Sequence, residues 1–289
     1  MEDIKYWIWL SRIKGLGSIN KQKLLAIYNS PKNIWDLKEE ELVKIEGINE
    51  KMVYEILNKS YRLGLEKIEE KMNKENIEMI NIYDEDYPEK LKNIYDKPIS
   101  IYVKGNRKLL NDFSFGIIGC RENSKYGKIV ATTIGKKLAL QNITTISGLA
   151  KGIDSISQKA TIDANGKTIA VIGSGIDYIY PYENIDLANE IVKKDGVIIS
   201  EYVPGTKPMK MHFPARNRII SGLSNGIIVV EAKIKSGTMT TVDFALEQGK
   251  NVFVIPGNIT SKNSEGTNEL IKQGAKCITC MQDILEEYL

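Results

Sequence analysis

Apolar positions change their spacing about a quarter of the way along the chain. Over residues 1–65 they recur at helical intervals, as in Trp7, Leu10 and Ile13 and again in Leu24, Leu25, Ile27 and Tyr28, with no strand-like run. From about Asn76 onward, short Val/Ile-rich runs alternate with helical stretches, the mark of a parallel α/β sheet. Strands are predicted at 115–119, 143–146, 167–173, 197–200, 226–231 and 251–255, with helices at 126–141 and 154–165. Several of these runs are apolar on both faces, as strands covered by helices on two sides must be. Residues 79–103 read as an added piece with short strands at the sheet edge, and the charged stretch 65–75 as a connecting helix. The expected class is α/β: a doubly wound, mostly parallel sheet over residues 66–289, preceded by a small all-helical domain over residues 1–65.

Composition narrows the classes of function. The 289 residues are 42% hydrophobic and 27% charged, enough to bury a core and too apolar for a disordered chain. A net charge of +3 neither demands nor excludes a nucleic-acid partner, because local charge decides that. No apolar run approaches the roughly 18–20 residues of a membrane helix. The acids Glu2 and Asp3 argue against a signal peptide, and three cysteines are too few for a disulfide framework. A cytoplasmic protein with no membrane partner is expected.

Two Gly-centred turns punctuate the helical part. Ile13-Lys14-Gly15-Leu16-Gly17-Ser18 precedes a helix carrying Lys21 and Lys23, and Ile45-Glu46-Gly47-Ile48-Asn49 precedes another. This is the pattern of paired helix-hairpin-helix units, whose turns aim backbone N–H groups at a phosphate. The same pattern serves a purely structural packing module, and Glu46 and Glu50 would repel phosphate.

The unusual residues gather just beyond the carboxyl ends of the predicted strands. Gly119-Cys120-Arg121, Ser147 through Asp154, Gly173-Ser174-Gly175-Ile176-Asp177, Ser200-Glu201-Tyr202, Ser236-Gly237-Thr238 and Pro256-Gly257 each follow a strand. In a doubly wound sheet this edge binds ligands. A dinucleotide is poorly served, since Tyr178 stands where the third fingerprint glycine belongs. No GxxxxGK[ST] string is present, so no Walker loop is expected. The single histidine, His212, rules out a His-based metal cluster, and one CxxC, Cys277 to Cys280, is half of a structural zinc site. Cys120 beside Arg121 fits buried packing better than an activated thiol. No cofactor, no metal and no catalytic residue is expected.

The sharpest segment is Lys207-Pro208-Met209-Lys210-Met211-His212-Phe213-Pro214-Ala215-Arg216-Asn217-Arg218. Between Glu201 and Glu231 there is no acid at all, while Lys207, Lys210, Arg216 and Arg218 are basic. Cations interleaved with a ring suit an unpaired polynucleotide: the cations neutralise phosphates and Phe213 stacks a base. A solvated basic loop with Phe213 in the core fits the spacing equally well.

These strings, together with Gly266-Thr267-Asn268-Glu269-Leu270-Ile271 and Gly274-Ala275, resemble in order and spacing the DNA-processing protein A (DprA/Smf) family over about residues 76–275. The resemblance implies an extended Rossmann-like domain behind a helical one. It further implies single-stranded DNA binding in natural transformation, loading of the RecA recombinase and a homodimer through the Rossmann-like domain. The family's DNA pocket maps onto Arg121, Lys210 and the stacking ring Phe213, with Arg216 and Arg218 toward DNA and Asn217 holding the loop. Ser147 and Gly148 would supply phosphate-facing backbone donors. Three positions depart from the family pattern. Gln158 stands where many members have His, Tyr182 replaces a Lys and so removes a phosphate contact, and no C-terminal winged helix is expected after Leu289.

Two other classes of function stay open on the sequence. One is a phosphoribohydrolase-like nucleotide enzyme using Asp154, Glu201 and Glu231 as acid/base groups, with Ser236 to Thr241 near an incomplete Gly-rich signature. The other is a structural adaptor, with apolar surfaces at 242–246 and 283–289.

Overall fold

The computed structural model describes residues 4–288. It opens with six α-helices: α1 (Ile4–Arg12), α2 (Gly17–Tyr28), α3 (Pro31–Trp35), α4 (Glu39–Leu42), α5 (Glu50–Leu57) and α6 (Leu65–Lys74). Side-chain oxygens start two of them by accepting an otherwise orphaned N–H: Ser30 takes that of Asn33, and Asn49 that of Met52. In the first hairpin the lysines turn inward, Lys21 donating to the Ser11 carbonyl at 2.8 Å and Lys23 to that of Glu46.

The sheet follows. Its elements are β1 (Glu78–Asn81), α7 (Glu89–Lys92), β2 (Ser100–Gly105), β3 (Ser114–Ile118), α8 (Lys125–Leu140), β4 (Thr144–Ser147), α9 (Ile153–Asp163), β5 (Thr168–Ile172), α10 (Ile185–Lys193), β6 (Val197–Ser200), α11 (His212–Leu223), β7 (Gly226–Val229), α12 (Gly237–Glu247), β8 (Asn251–Val254), α13 (Glu265–Lys272), β9 (Lys276–Cys277) and α14 (Gln282–Leu285). Strand order is β1-β2-β6-β5-β4-β3-β7-β8-β9, parallel from β6 to β9. The two antiparallel edge strands β1 and β2 are the short strands expected within 79–103. β9 was not anticipated: it is two residues long and opens on a lysine, so it carries no apolar run.

Chain direction across the sheet reverses between β3 and β7, and the helices change face with it. Residues of α8, α9 and α14 share a core with Phe115, Ile117, Ile228 and Phe253. Residues of α7, α11, α12 and α13 share the opposite one with Ile118, Ile146, Ile169 and Val229. This is the doubly wound, Rossmann-like arrangement. The first helices form no separate core, because Trp7, Trp9, Leu24 and Val53 join a cluster that runs through Tyr102, Ala170, Ile172 and Ile198 of the sheet. Several helices end on Asn or Asp at positive φ. Asn29, Asn76, Asn142, Asn165 and Asp195 follow α2, α6, α8, α9 and α10, and their short polar side chains tolerate the left-handed turn.

Candidate nucleic-acid interface

Strand order lines up the loops that matter. Those after β6, β5, β4 and β3 lie side by side, and three interstrand spacings of about 4.8 Å make the rim about 14 Å long. Arg121 follows β3, is exposed, and among the described residues has no carboxylate partner. Lys210 is equally exposed in the turn between β6 and α11, a turn closed by the His212 N–H on the Met209 carbonyl at 2.9 Å. Phe213, in the first turn of α11, is half-buried over the carboxyl end of β5. Gly173 lies beneath it, and a Cβ there would stand 3.0 Å from the ring. The ring is therefore not under the sheet. It leans on Tyr180 at 5.5 Å between centroids, and Tyr180 meets Tyr182 edge-on at 6.0 Å.

The other predicted residues are placed differently. Arg216 is only 5% exposed, and its guanidinium donates to the carbonyls of Gly148, at 2.7 Å, and Val171, at the carboxyl ends of β4 and β5. A Cβ on Gly148 would collide with it. Arg218 is 4% exposed and bonds Glu201 at 2.7 Å, Asp96 at 3.0 Å and the Ser18 hydroxyl at 3.1 Å. Both arginines thus brace the loop from inside rather than facing solvent. Asn217 joins the start of α11 to that of α12 by donating to the Gly237 carbonyl at 3.3 Å. Ser147 is fully buried with its hydroxyl on the Ile117 carbonyl, and the Gly148 N–H is already held by the Asp154 carboxylate at 3.0 Å. Neither presents a free donor at the rim.

Electrostatics follow from this burial. Desolvation pulls Arg216 down to about 10, with Asp154 opposing the fall and Arg121 adding to it, so all three share one field and Arg216 stays charged at neutral pH. Burial raises the Asp154 carboxyl, against the pull of Arg216 and the Gly148 N–H. Burial alone would also raise Glu201, but Arg218, Ser18 and Lys21 outweigh it and hold that carboxyl below its ordinary value. His212 stacks on Tyr202 at 4.0 Å, and burial lowers its pKa, so it is neutral at pH 7. Burial pushes the Cys120 thiol up, as expected of packing, while Cys277 and Cys280 are exposed free thiols. Gln158 is buried and donates to Ile169 O and Thr168 Oγ1.

The acids proposed for a nucleotide enzyme are all engaged. Glu231, beside the switch point, accepts from the Ser124 N–H at 2.9 Å and from its hydroxyl, and so holds the residue whose own oxygen caps α8 by accepting the Gly127 N–H. Gly127 keeps that approach open, since a Cβ would stand 2.2 Å from the carboxylate. Asp154 holds Gly148, and Glu201 holds Arg218. Among the described residues no group of three or more His, Cys, Asp or Glu side chains is placed for a metal ion, and no helix is long and apolar enough to cross a membrane.

Sequence reasoning missed the partners of Arg218, because Asp96 and Ser18 are distant in the chain. It also missed Tyr180. The alternation of Tyr178, Tyr180 and Tyr182 beyond β5 was the signal available.

The family model for DNA recombination-mediator protein A matches residues 78–289, which takes in the whole sheet and every loop of this rim. The chain belongs to that family. Within it, the DNA processing protein DprA of Bacillus subtilis is 46% identical over 212 residues, spanning 73% of this chain and 71% of the relative. The X-ray structure of DprA from Streptococcus pneumoniae superposes with a TM-score of 0.81 at 35% identity, covering 100% of this chain and 99% of that one. A Helicobacter pylori DprA structure, described for its single-stranded DNA binding mode, superposes with a TM-score of 0.66 at 31% identity over 74% of this chain and 97% of that one.

Proposed function

We propose that the rim beyond β3 to β6 binds single-stranded DNA, with Arg121 and Lys210 on phosphates and Phe213 on a base. One observation carries this reading. Arg121 and Lys210 stand exposed with no carboxylate partner among the described residues, along the same edge as a half-exposed ring seated on Gly173. Membership of a family with a single-stranded DNA-binding member supports it. Arg216 and Arg218 act as internal braces and Asn217 as a tie to α12. Ser147 and Gly148 shape the floor.

The test is binding of labelled single- and double-stranded oligonucleotides across a salt series. Arg121→Ala and Lys210→Ala each weaken single-strand binding and flatten log K against log salt by about 0.7, the value of one phosphate contact on a single strand. A folded variant with unchanged affinity and slope refutes the site.

The same proposal makes residues 66–289 the DNA-binding part and residues 1–65 a helical domain buttressing it. It makes the chain a cytoplasmic, non-catalytic mediator that passes incoming strands to RecA during DNA uptake, acting as a homodimer. Leu246, exposed on α12 beside a cleft of about 300 Å³ over β8 and β9, supports the dimer surface. Leu246→Asp should halve the mass measured by light scattering, and a wild-type monomer removes this part of the proposal. RecA-driven strand exchange with and without the protein tests delivery.

A further inference from the structure

The ring row does not stop at Phe213. Tyr180 is 42% exposed and Tyr182 65% exposed, yet both project from a braced segment. Pro181 stands between them, and the turn that follows is closed by the Asn184 N–H on the Pro181 carbonyl at 3.0 Å. The Asn184 side chain ties that turn to the Leu149 carbonyl at 2.8 Å, in the loop after β4. The Lys151–Glu183 ion pair adds a second tie between the same loops. Among the described residues neither phenol hydroxyl has a hydrogen-bond partner, so neither ring is held by its tip. Large rings fixed in place and left facing water cost hydration free energy unless something covers them.

Ring geometry limits what that something is. Phe213 and Tyr180 meet at 40° and Tyr180 and Tyr182 at 76°, so no base fits between neighbours, and each ring offers its outer face. Tyr182, read from the sequence only as a lost phosphate contact, is the most exposed of the three.

We propose that Tyr180 and Tyr182 continue the Phe213 platform into a second stacking step, with Tyr182 carrying the base next to the one on Phe213. Tyr180 sits between as the edge that sets both angles. The proposal rests on the rim being a single-strand site, and it assigns the rim a footprint of at least two stacked bases.

The experiment compares Tyr182→Ala, Tyr182→Phe and Tyr182→Lys with wild type on a thymine oligonucleotide and on an abasic strand of equal length. Tyr182→Ala should bind thymine strands about five- to tenfold more weakly, the lower part of the range for one stacked base, with the salt slope unchanged. That loss should vanish on the abasic strand, the cycle that isolates ring–base coupling. Tyr182→Phe should bind as wild type, and Tyr182→Lys should steepen the salt slope. Equal loss on thymine and abasic strands, or no loss on either, overturns the second step. Phe213→Ala and Arg121→Ala on the same thymine strand separate the two readings. If they lose affinity while Tyr182→Ala does not, only the extension fails, and if none loses affinity the rim itself is wrong.

Discussion

Arg218→Ala separates an internal brace from a DNA contact. In the native chain the guanidinium is 4% exposed and reaches Glu201 at 2.7 Å and Asp96 at 3.0 Å, with further bonds to the Asp96 and Ala215 carbonyls and the Ser18 hydroxyl. Truncation strands Glu201, whose side chain is 20% exposed, whereas that of Asp96 is 34% exposed and rehydrates. Removing one partner of a buried pair costs about 3–5 kcal/mol. Lys21 still faces Glu201, so the lower end, about 3 kcal/mol, is expected. With a urea slope of about 3 kcal/mol per molar, the unfolding midpoint falls by about 1 M.

The pH dependence of this variant adds a second signature. Glu201 lies below its ordinary value of 4.5 when folded, so its contribution is present above that pH and is lost as pH falls through the folded value. Without Arg218, burial dominates and raises the same carboxyl, so protonation relieves the variant instead. The stability gap between the two proteins therefore narrows on acidification from about pH 6 to pH 4. Replacing both Glu201 and Arg218 by Met should recover much of the loss. The reasoning fails if Arg218→Ala keeps the wild-type urea midpoint while its DNA affinity drops and its salt slope flattens.

Phe213→Ala should weaken single-strand binding by about 1–3 kcal/mol with the salt slope unchanged, and a variant that alters only the slope contradicts the stacking role. Glu231→Ala frees the Ser124 N–H and hydroxyl at the start of α8 and should cost about 1.5–3 kcal/mol in urea unfolding while releasing no free base from nucleoside monophosphates in wild type or variant; base release by wild type that the variant loses would place catalysis at this acid. Desolvation lowers Lys21 and Lys90 to about 8, so between about pH 8 and 10 the unfolded chain binds more protons and stability should rise with pH. Above that, burial keeps the phenols of Tyr87, Tyr102 and Tyr202 protonated while the unfolded chain ionises, and stability should fall; a melting profile from pH 7 to 11 that only falls contradicts the lysine assignment, and one that only rises contradicts the phenols.

The parallel strands were legible because burial on two faces leaves an unbroken apolar run, as in Ile169–Ala170–Val171–Ile172, and because β3 to β6 end on or just before a Gly or Ser. The antiparallel edge was visible only as short strands without partners, since pairing of Tyr102 with Ser200 joins residues far apart in sequence. Within the proposed site, chain-local signals gave placement: Arg121, Lys210 and Phe213 all lie beyond strand ends. Charge counting did not reveal that Arg216 and Arg218 are buried. The acid-free span from Glu201 to Glu231 looks uniformly cationic in one dimension, but Glu201 at its border folds back onto Arg218 and Asp96 arrives from another loop. Burial is likewise invisible at Arg216, whose partners are carbonyl oxygens that every residue possesses.

On the proposed function, the donors already taken up beside this sheet edge favour a polymer over a single nucleotide. A Rossmann-type site normally offers a phosphate the N–H groups of the first helix after the central strand. Here Glu231 holds the N–H of Ser124, whose hydroxyl in turn caps α8 through the Gly127 N–H, and in the next loop Asp154, in the first turn of α9, holds the Gly148 N–H. A free phosphate at either place would meet a fixed carboxylate at close range, and the two like charges repel. In the proposed site anion recognition falls instead to exposed side chains, Arg121 at one end of the rim and Lys210 at the other. Point charges spread along an edge select repeated, spaced phosphates over a single compact one. On that proposal the buried carboxylates act as a filter: neutralising Glu231 as Gln should leave oligonucleotide affinity unchanged while lessening the discrimination against free phosphate.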